Sequence, residues 1–405
     1  MYSALVRQCI YQQLLCDVPI TNCGTLLKNF IQSVMGKRVS RVPCPTTCSQ
    51  MAYEIGVLST IQLTEFMLST KHLCLSWDAT SLEGNHVKEI HVTANKVICL
   101  VLDIRYLPGG TTADYVSHIV SALTEAAATY ARLKGLRQEE VYEKIKCAIS
   151  STLTDRAAVN ACVTRLLRDE FDVELMQLNC NVHPLDSVAR DVRKHLCLLD
   201  KDNNIVGHCY GSDGTAANLI NAVSVLRFKD GTGDPCGFKN FLQHYELSMG
   251  TFVRYVGNRL HVMFHSAGIL YTHHAKLISF TENECTGGGL LRVNILKDLK
   301  NDDIMVQVWA LGIVGKLVSG PWMTKFYSSE MSNLSMGPLI CQCVKSLDEW
   351  TEKPEEIFLP TRDAFGTPLD PSNDTVLSAL LEHSYDHQLT TGRPPTDLER
   401  SFKCA

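Results

Sequence analysis

The sequence has no excess of positive charge. It contains 38 Lys and Arg residues against 43 Asp and Glu residues, which is a formal net charge of −5. Proteins that bind nucleic acid over a large surface are usually basic overall, so this balance argues against a large phosphate-binding footprint. It does not exclude a local basic groove, because net charge averages over all faces of a molecule.

The sequence also lacks segments typical of secretion or membrane insertion. The N-terminal segment "MYSALVRQCIYQQLLCDVPI" has polar residues within its apolar region, unlike a signal peptide. No apolar run approaches the roughly 18–20 residues that span a bilayer. We therefore expect no membrane among the partners of this chain.

No short repeating cysteine framework is present. The 17 cysteines are odd in number and scattered along the chain. A disulfide-rich secreted scaffold would be smaller and richer in loops. Several cysteines lie instead within apolar segments, as buried free thiols do in a reducing compartment: Cys74, Cys99, Cys147 and Cys162. These features predict a soluble intracellular protein, nuclear or cytoplasmic.

What the sequence does contain is enough apolar material for a large core. It has 405 residues, of which 45% are hydrophobic, and this suits two or three domains. Residues 1–70 have apolar side chains at helical spacing and predict an N-terminal helical region. We find no internal repeat and no low-complexity segment.

From residue 71 the pattern changes to alternating strands and helices. Three strand candidates come first: "LCLSWDATS", "VKEIHVTA" and "KVICLVLDIRYL". A helix at "TTADYVSHIVSALTEAAATYARLKGL", a strand at "KIKCAISSTL", a helix at "DRAAVNACVTRLLRDEF" and a strand at "VELMQLNCNV" follow. This β-β-β-α-β-α-β order predicts a mixed sheet over residues 71–200, with the first strand central and the second antiparallel to it.

The remainder of the chain reads as mostly helical. Residues 201–345 contain several apolar helical segments. Residues 346–405 are predicted as an extended linker rich in Pro, Asp and Glu, then a short helix and a polar tail.

The strand and helix order resembles that of the ribonuclease H-like fold, in which the first and fourth strands lie side by side. Asp78 falls in "LSWDAT" on the first strand, and Asp155 falls in "STLTDRAAVN" at the end of the fourth. "TDRAAVN" followed by "LNCNVHPLD", with Cys180 and His183 in a C-x-x-H spacing, is similar to the motifs of hAT-type DDE transposases. The expected fold class is therefore α/β: a ribonuclease H-like mixed sheet with flanking helices, an N-terminal helical segment and a helical insertion.

The resemblance implies a catalytic site. Asp78 and Asp155 would hold Mg²⁺ or Mn²⁺, which prefer oxygen ligands, and Arg156 would meet a DNA phosphate. The family's last acid follows the helical insertion, and its segment is not recognisable in this chain. Glu330 is the best substitute, and Asp348 and Glu349 are others.

Each of these residues also has a simpler interpretation. Asp78 could end a strand as a turn residue, and Asp155 stands where a helix N-cap would. Cys180 and His183 supply only two of the about four ligands of a zinc site. Although His208 and Cys209 are nearby candidates to complete one, we favour a structural, site-shaping role for the C-x-x-H pair.

Three functions remain open at the level of sequence. The first is an active, metal-dependent DNA transposase or nuclease that uses two Mg²⁺ ions. The second is a transposase-derived, domesticated protein that binds DNA and has weak or lost strand-transfer activity. The acidic net charge, the missing acid and the absence of a zinc finger before the core favour this second function and suggest truncation at both ends. The third is an unrelated intracellular α/β protein that acts in protein–protein interaction. The sequence leaves the oligomeric state open, including a homo-oligomer.

Overall fold

The computed structural model of the chain describes residues 2–94, 98–255, 261–327, 331–358 and 360–382. The fold is mixed α/β, with a five-stranded mixed sheet and many flanking helices. The chain divides into two compact units, Met1–Asn179 and Cys180–Ala405. This division falls at the end of the last strand, whereas the predicted core extended to residue 200.

The first unit contains all the strands assigned within the described residues. Its helices are α1 (Ala4–Leu15), α2 (Ile20–Val34), α3 (Pro45–Ser69), α4 (Thr112–Lys134), α5 (Gln138–Ala148) and α6 (Ala158–Phe171). Its strands are β1 (Leu73–Leu82), β2 (Asn85–Ala94), β3 (Ile98–Leu107), β4 (Ile149–Thr154) and β5 (Met176–Asn179).

The sheet has the order β3-β2-β1-β4-β5, so β1 is central as predicted. β1 pairs antiparallel with β2 and parallel with β4, and β4 pairs parallel with β5. Glu83 and Gly84 join β1 to β2 in a two-residue turn, and both have positive φ values, 51° and 80°. Glycine reaches this region without steric cost, and two such residues match the right-handed twist of a hairpin.

Two predicted boundaries in this unit are wrong. The segment "KIKCAISSTL" is not all strand, because α5 continues to Ala148 and β4 begins only at Ile149. The apolar residues Val141 and Ile145 stand at helical spacing and are buried, and this favours the helix. In addition β1 extends to Leu82, so Asp78 lies within the strand rather than at its end.

The two faces of the sheet differ. Leu73, Leu75 and Trp77 of β1 are buried on one side, which we call the Trp77 face. Successive side chains of a strand alternate between faces, so Asp78 lies on the other side, the Asp78 face, and its side chain is exposed. Apolar residues of α3, α4, α5 and α6 form one buried cluster with the Trp77 face.

The helix α4 shows why this packing is stable. Thr111 and Asp114 form a reciprocal capping box at its N-terminus, and Gly135 ends it in the left-handed region with φ 66°. Both signals agree with the sequence prediction. Its buried residues include Ile119, Leu123 and several alanines, which lets the helix approach the sheet closely. A second, smaller core joins α1, α2 and the first turns of α3.

The second unit is helical within the described residues. Its helices are α7 (Pro184–Asp202), α8 (Thr215–Phe228), α9 (Pro235–His244), α10 (Val262–Thr272), α11 (His274–Ser279), α12 (Gly289–Leu299), α13 (Asp302–Val314), α14 (Gly320–Phe326), α15 (Gly337–Glu352) and α16 (Glu355–Phe358). The backbone is again helical from 375 to 382. The extended segment therefore begins only after Glu352.

The core of this unit is built around α10 and α13. At their crossing, a Cβ atom on Gly312 would lie 3.0 Å from the Cα of Gly268, so the glycines permit a close approach of the two backbones. Trp309 of α13 is fully buried and donates through Nε1 to the carbonyl of Leu380 over 2.8 Å. One apolar cluster extends from Leu185 to Leu381.

One helix of the described chain is long and apolar enough to cross a membrane. It runs from Asp302 to Phe326 through a π-helical turn at Gly315–Ser319, and its most apolar window has a mean hydropathy of 1.4. Of that window, 78% is buried inside the protein. The run is longer than expected from the sequence, but a buried core helix has the same properties.

Candidate functional site

Asp78 lies in the middle of β1, directly opposite Glu89 of β2. Its Oδ1 accepts a hydrogen bond of 2.8 Å from the backbone N–H of Ala79. This hydrogen bond fixes the carboxylate on the strand. Because the side chain is exposed, a ligand can reach it.

Asp155 is the first residue after β4. The last pair in the parallel register of β1 with β4 is Ser76 with Leu153, so Asp78 and Asp155 each lie two residues beyond that pair along the chain. Asp155 is not the helix N-cap, because α6 is preceded by Ala157, which makes no side-chain cap. Instead Oδ1 of Asp155 accepts from the N–H of Ala157 over 2.9 Å.

The charges of both carboxylates affect the pKa of Tyr115, near the start of α4. Burial raises the pKa of Tyr115, and the negative charges of Asp155 and Asp78 raise this pKa further. The Tyr115 hydroxyl and Nε2 of His86 are 2.9 Å apart, so a hydrogen bond links β2 to α4 at this site.

Two buried side chains orient Asp155, one by a direct hydrogen bond and the other through the first. Nδ2 of Asn160 donates to Oδ1 of Asp155 over 2.6 Å. Oδ1 of Asn160 in turn accepts from Nε1 of Trp77 over 2.7 Å. Trp77 is 3% exposed and Asn160 is 6% exposed. This chain of hydrogen bonds connects the central strand to the carboxylate and selects one rotamer for it.

A buried lysine lies on the Trp77 face beside this site. Lys88 is opposite Ala79, is fully buried and donates through Nζ to the carbonyl of Tyr115 over 3.1 Å. Its Nζ also lies 4.3 Å from the ring centre of Tyr115 and 5.3 Å from that of Trp77. Burial lowers the pKa of Lys88 to about 7. The sequence reasoning missed Lys88, although it stands in phase with the buried residues Ile90 and Val92 of β2.

Cys180 and His183 follow β5 directly, as predicted. β5 pairs with β4 so that Asn179 stands opposite Thr154, and Cys180 is the next residue. His183 immediately precedes α7, and its Nδ1 is buried with no hydrogen-bond partner among the described residues. The motif is anchored through Asn181, whose carbonyl accepts from Nε1 of Trp322 over 2.7 Å.

The residues suggested to complete a zinc site have another partner. The N–H and Nδ1 of His208 and the N–H of Cys209 all donate to the buried carboxylate of Asp298, at 2.7, 3.0 and 2.8 Å. The C-x-x-H pair therefore keeps its structural interpretation as a prediction.

The other predicted site residues are less well placed. Arg156 is exposed directly after Asp155. Glu330 lies outside the described residues. Of the two substitutes, Glu349 pairs with Arg362 over 2.9 Å, and Asp348 is exposed on α15.

The donor set fits a divalent cation only in part. Asp78 and Asp155 each use Oδ1 for a backbone N–H, so their Oδ2 atoms are the natural ligands for Mg²⁺ or Mn²⁺. In the part of the chain that the structure describes, no group of three His, Cys, Asp or Glu side chains is placed to hold a metal ion. Two carboxylates suit one weakly held ion better than two tightly held ones.

Comparison with known proteins gives no family for this chain. No protein-family model matches it, and no curated protein matches it at a significant level.

Proposed function

We propose that this chain is a transposase-derived protein with a ribonuclease H-like core, which binds DNA and has weak or lost DDE-type strand-transfer activity. The observation that carries the proposal is that Asp78 lies on β1 and Asp155 directly follows β4, the adjacent parallel strand, while the C-x-x-H pair of Cys180 and His183 begins directly after β5. The strand order β3-β2-β1-β4-β5 supports the same assignment.

The residues of the chain suggest how the site would act. Asp78 and Asp155 would hold Mg²⁺ or Mn²⁺ through their outer oxygens, and such an ion polarises a phosphodiester. Asn160 and Trp77 keep Asp155 in place, and the exposed Arg156 would bind a backbone phosphate of DNA.

Weak or lost activity follows from the number of acids. Two-metal chemistry needs anionic ligands that fix both ions and offset their mutual repulsion. Among the described residues the resemblance assigns two carboxylates to this site, Asp78 and Asp155, and it leaves Glu330 as the substitute for the third. The net charge of −5 adds no general attraction for DNA, so binding would depend on a local basic surface.

The test measures Mn²⁺-dependent cleavage of supercoiled and oligonucleotide DNA. We expect little or no cleavage by the wild type, and no further loss in Asp78→Ala, Asp155→Ala or Glu330→Gln. Asp169→Asn, an exposed acid on α6, is the matched control. Robust cleavage that all three changes abolish would identify an active enzyme with Glu330 as its third acid. Cleavage that survives Asp155→Ala would indicate a contaminating nuclease.

DNA binding is measured separately, as the salt dependence of affinity. Arg156→Ala should weaken binding uniformly across sequences and reduce the salt slope by about 1, as loss of one phosphate contact does. Arg165→Ala, an exposed arginine further along α6, should have a smaller effect. If the protein shows no salt-dependent affinity for DNA at all, the proposal fails and a role in protein–protein interaction takes its place.

A further inference from the structure

Three side chains on the Asp78 face of the sheet form an arrangement that begins at Glu89, the residue opposite Asp78. Sγ of Cys99 lies 3.4 Å from Nδ1 of His91, and Nε2 of the same imidazole lies 3.4 Å from Oε1 of Glu89. Cys99 is exposed, so a molecule from solvent can reach its sulfur.

The strands hold this arrangement in place. Glu89 and His91 are two residues apart on β2 and share a face. Cys99 of β3 pairs with Thr93, which makes it the diagonal neighbour of His91 across the two strands. Two strands of ten residues each position the three groups, so no loop movement is needed to bring them together.

A thiol beside an imidazole is the arrangement of a nucleophile and its general base. Glu89 lies within ion-pair distance of Nε2 of His91, although this nitrogen makes no hydrogen bond among the described residues. A thiol is a few per cent thiolate near neutral pH and needs such a base to react quickly. Glu89 places a carboxylate beside the imidazole that would take the proton.

We propose that Cys99 is a reactive thiol site that forms a mixed disulfide with low-molecular-weight disulfides of the glutathione class. As Sγ of Cys99 attacks one sulfur of the small disulfide, Nδ1 of His91 accepts the thiol proton. A bond forms between Sγ and that sulfur, and the original S–S bond breaks. The departing thiolate takes the proton from His91 and leaves as a free thiol. The protein thus exchanges its Cys99 thiol for a mixed disulfide, and the number of thiols and disulfides in the pair of reactants is unchanged.

The nearest thiol on the same face cannot replace the external partner. Cys74 of β1 pairs with Thr93, and Thr93 pairs with Cys99, so the two cysteines are separated by a whole strand. Two strand spacings are roughly 9–10 Å between Cα atoms, whereas a disulfide requires less than about 7 Å. Cys74 is therefore too far from Cys99 to form a disulfide with it, and an external disulfide can react instead.

The experiment treats the full chain with oxidised glutathione at pH 7 and follows each cysteine by peptide mass spectrometry. Cys99 should be modified about tenfold faster than Cys341 and Cys236, which are also exposed, because no hydrogen-bonded histidine accompanies either of them among the described residues. Alkylation by iodoacetamide gives the same comparison for a reagent that is not a disulfide.

The variants separate reactivity from mere exposure. His91→Asn should lower the rate at Cys99 to that of Cys341, and Glu89→Gln should lower it less, while the rates at Cys341 and Cys236 stay unchanged in both. Equal rates at Cys99 and the two reference cysteines in the wild type would overturn the proposal. A fast rate at Cys99 that persists in His91→Asn would overturn the role of the imidazole. If either variant changes the rates at Cys341 or Cys236, Thr93→Ser serves as a control for disturbance of β2. In Thr93→Ser, Cys99 must still react faster than the two reference cysteines.

Discussion

Nδ2 of Asn160 donates a 2.6 Å hydrogen bond to Oδ1 of Asp155. Asn160 can make this bond in one orientation because its own Oδ1 is occupied by the indole of Trp77. The buried amide thus connects the central strand to the acid after β4, and its two bonds depend on one another.

This dependence predicts a measurable coupling between the two buried residues. Trp77→Phe and Asn160→Ala should each lower the free energy of unfolding, and the double variant should lose about 1 kcal/mol less than the sum, since each single change already removes the shared hydrogen bond. Urea denaturation monitored by circular dichroism measures all four proteins. As a control, the effects of Trp77→Phe and Arg165→Ala on the free energy of unfolding should add in the double variant, since Arg165 is exposed. A coupling between these two changes would indicate a general change in packing.

Lys88 predicts a distinct dependence of stability on pH. Burial lowers its folded pKa to about 7, whereas an unfolded lysine titrates near 10.4. Between these values the unfolded state binds more protons, so the free energy of unfolding rises with pH, by up to about 1.4 kcal/mol per unit. Below pH 7 both states are protonated and the cost of the buried charge is fully present.

Lys88→Met keeps the length of the side chain and removes the charge. We expect it to be more stable than the wild type at pH 7, with the difference shrinking as the pH approaches 10. Chemical denaturation of both proteins at several pH values measures the difference in their free energies of unfolding. The titration of all other groups contributes equally to both proteins and cancels in this difference. A difference that is constant from pH 7 to 10 would contradict the prediction.

Asp298 should be among the most sensitive positions of the second unit. Its fully buried carboxylate accepts from the backbone of His208 and Cys209 and from Nδ1 of His208. Asp298→Ala leaves these donors without their acceptor and should cost about 3 kcal/mol of stability. The adjacent, exposed Lys297→Ala should stay within about 0.5 kcal/mol of the wild type, and thermal or urea unfolding compares the two.

Cys180 and His183 should bind no structural zinc. The described residues contain no set of ligands for one, and the pair alone supplies half of the about four that zinc requires. Metal analysis of the purified protein should find less than one equivalent, unchanged in Cys180→Ser and in the exposed Cys236→Ser. One tightly held zinc that is lost only in Cys180→Ser would refute the structural interpretation.

Several features of the fold could be predicted from local sequence alone. The order of three strands before α4 and the central position of β1 are confirmed, because period-two alternation and turn residues are local signals. The ends of α4 are confirmed for the same reason, since Thr111, Asp114 and Gly135 act on their own turn of helix. The start of β4 was predicted wrongly, because "KIKCAI" suits either structure and only packing of Val141 and Ile145 against the core decides for helix.

The features of the candidate site likewise fall into those that local sequence predicts and those that depend on the folded structure. Chain order alone predicts that Asp78 lies on the first strand, that Asp155 follows the fourth, and that Cys180 and His183 follow the last. The folded chain adds the contacts of Asn160 and Trp77 behind Asp155, the burial of Lys88 beside Tyr115, and the contact of Cys99 with His91. These contacts join residues on different strands and helices, and their existence depends on register and burial, which no local pattern specifies.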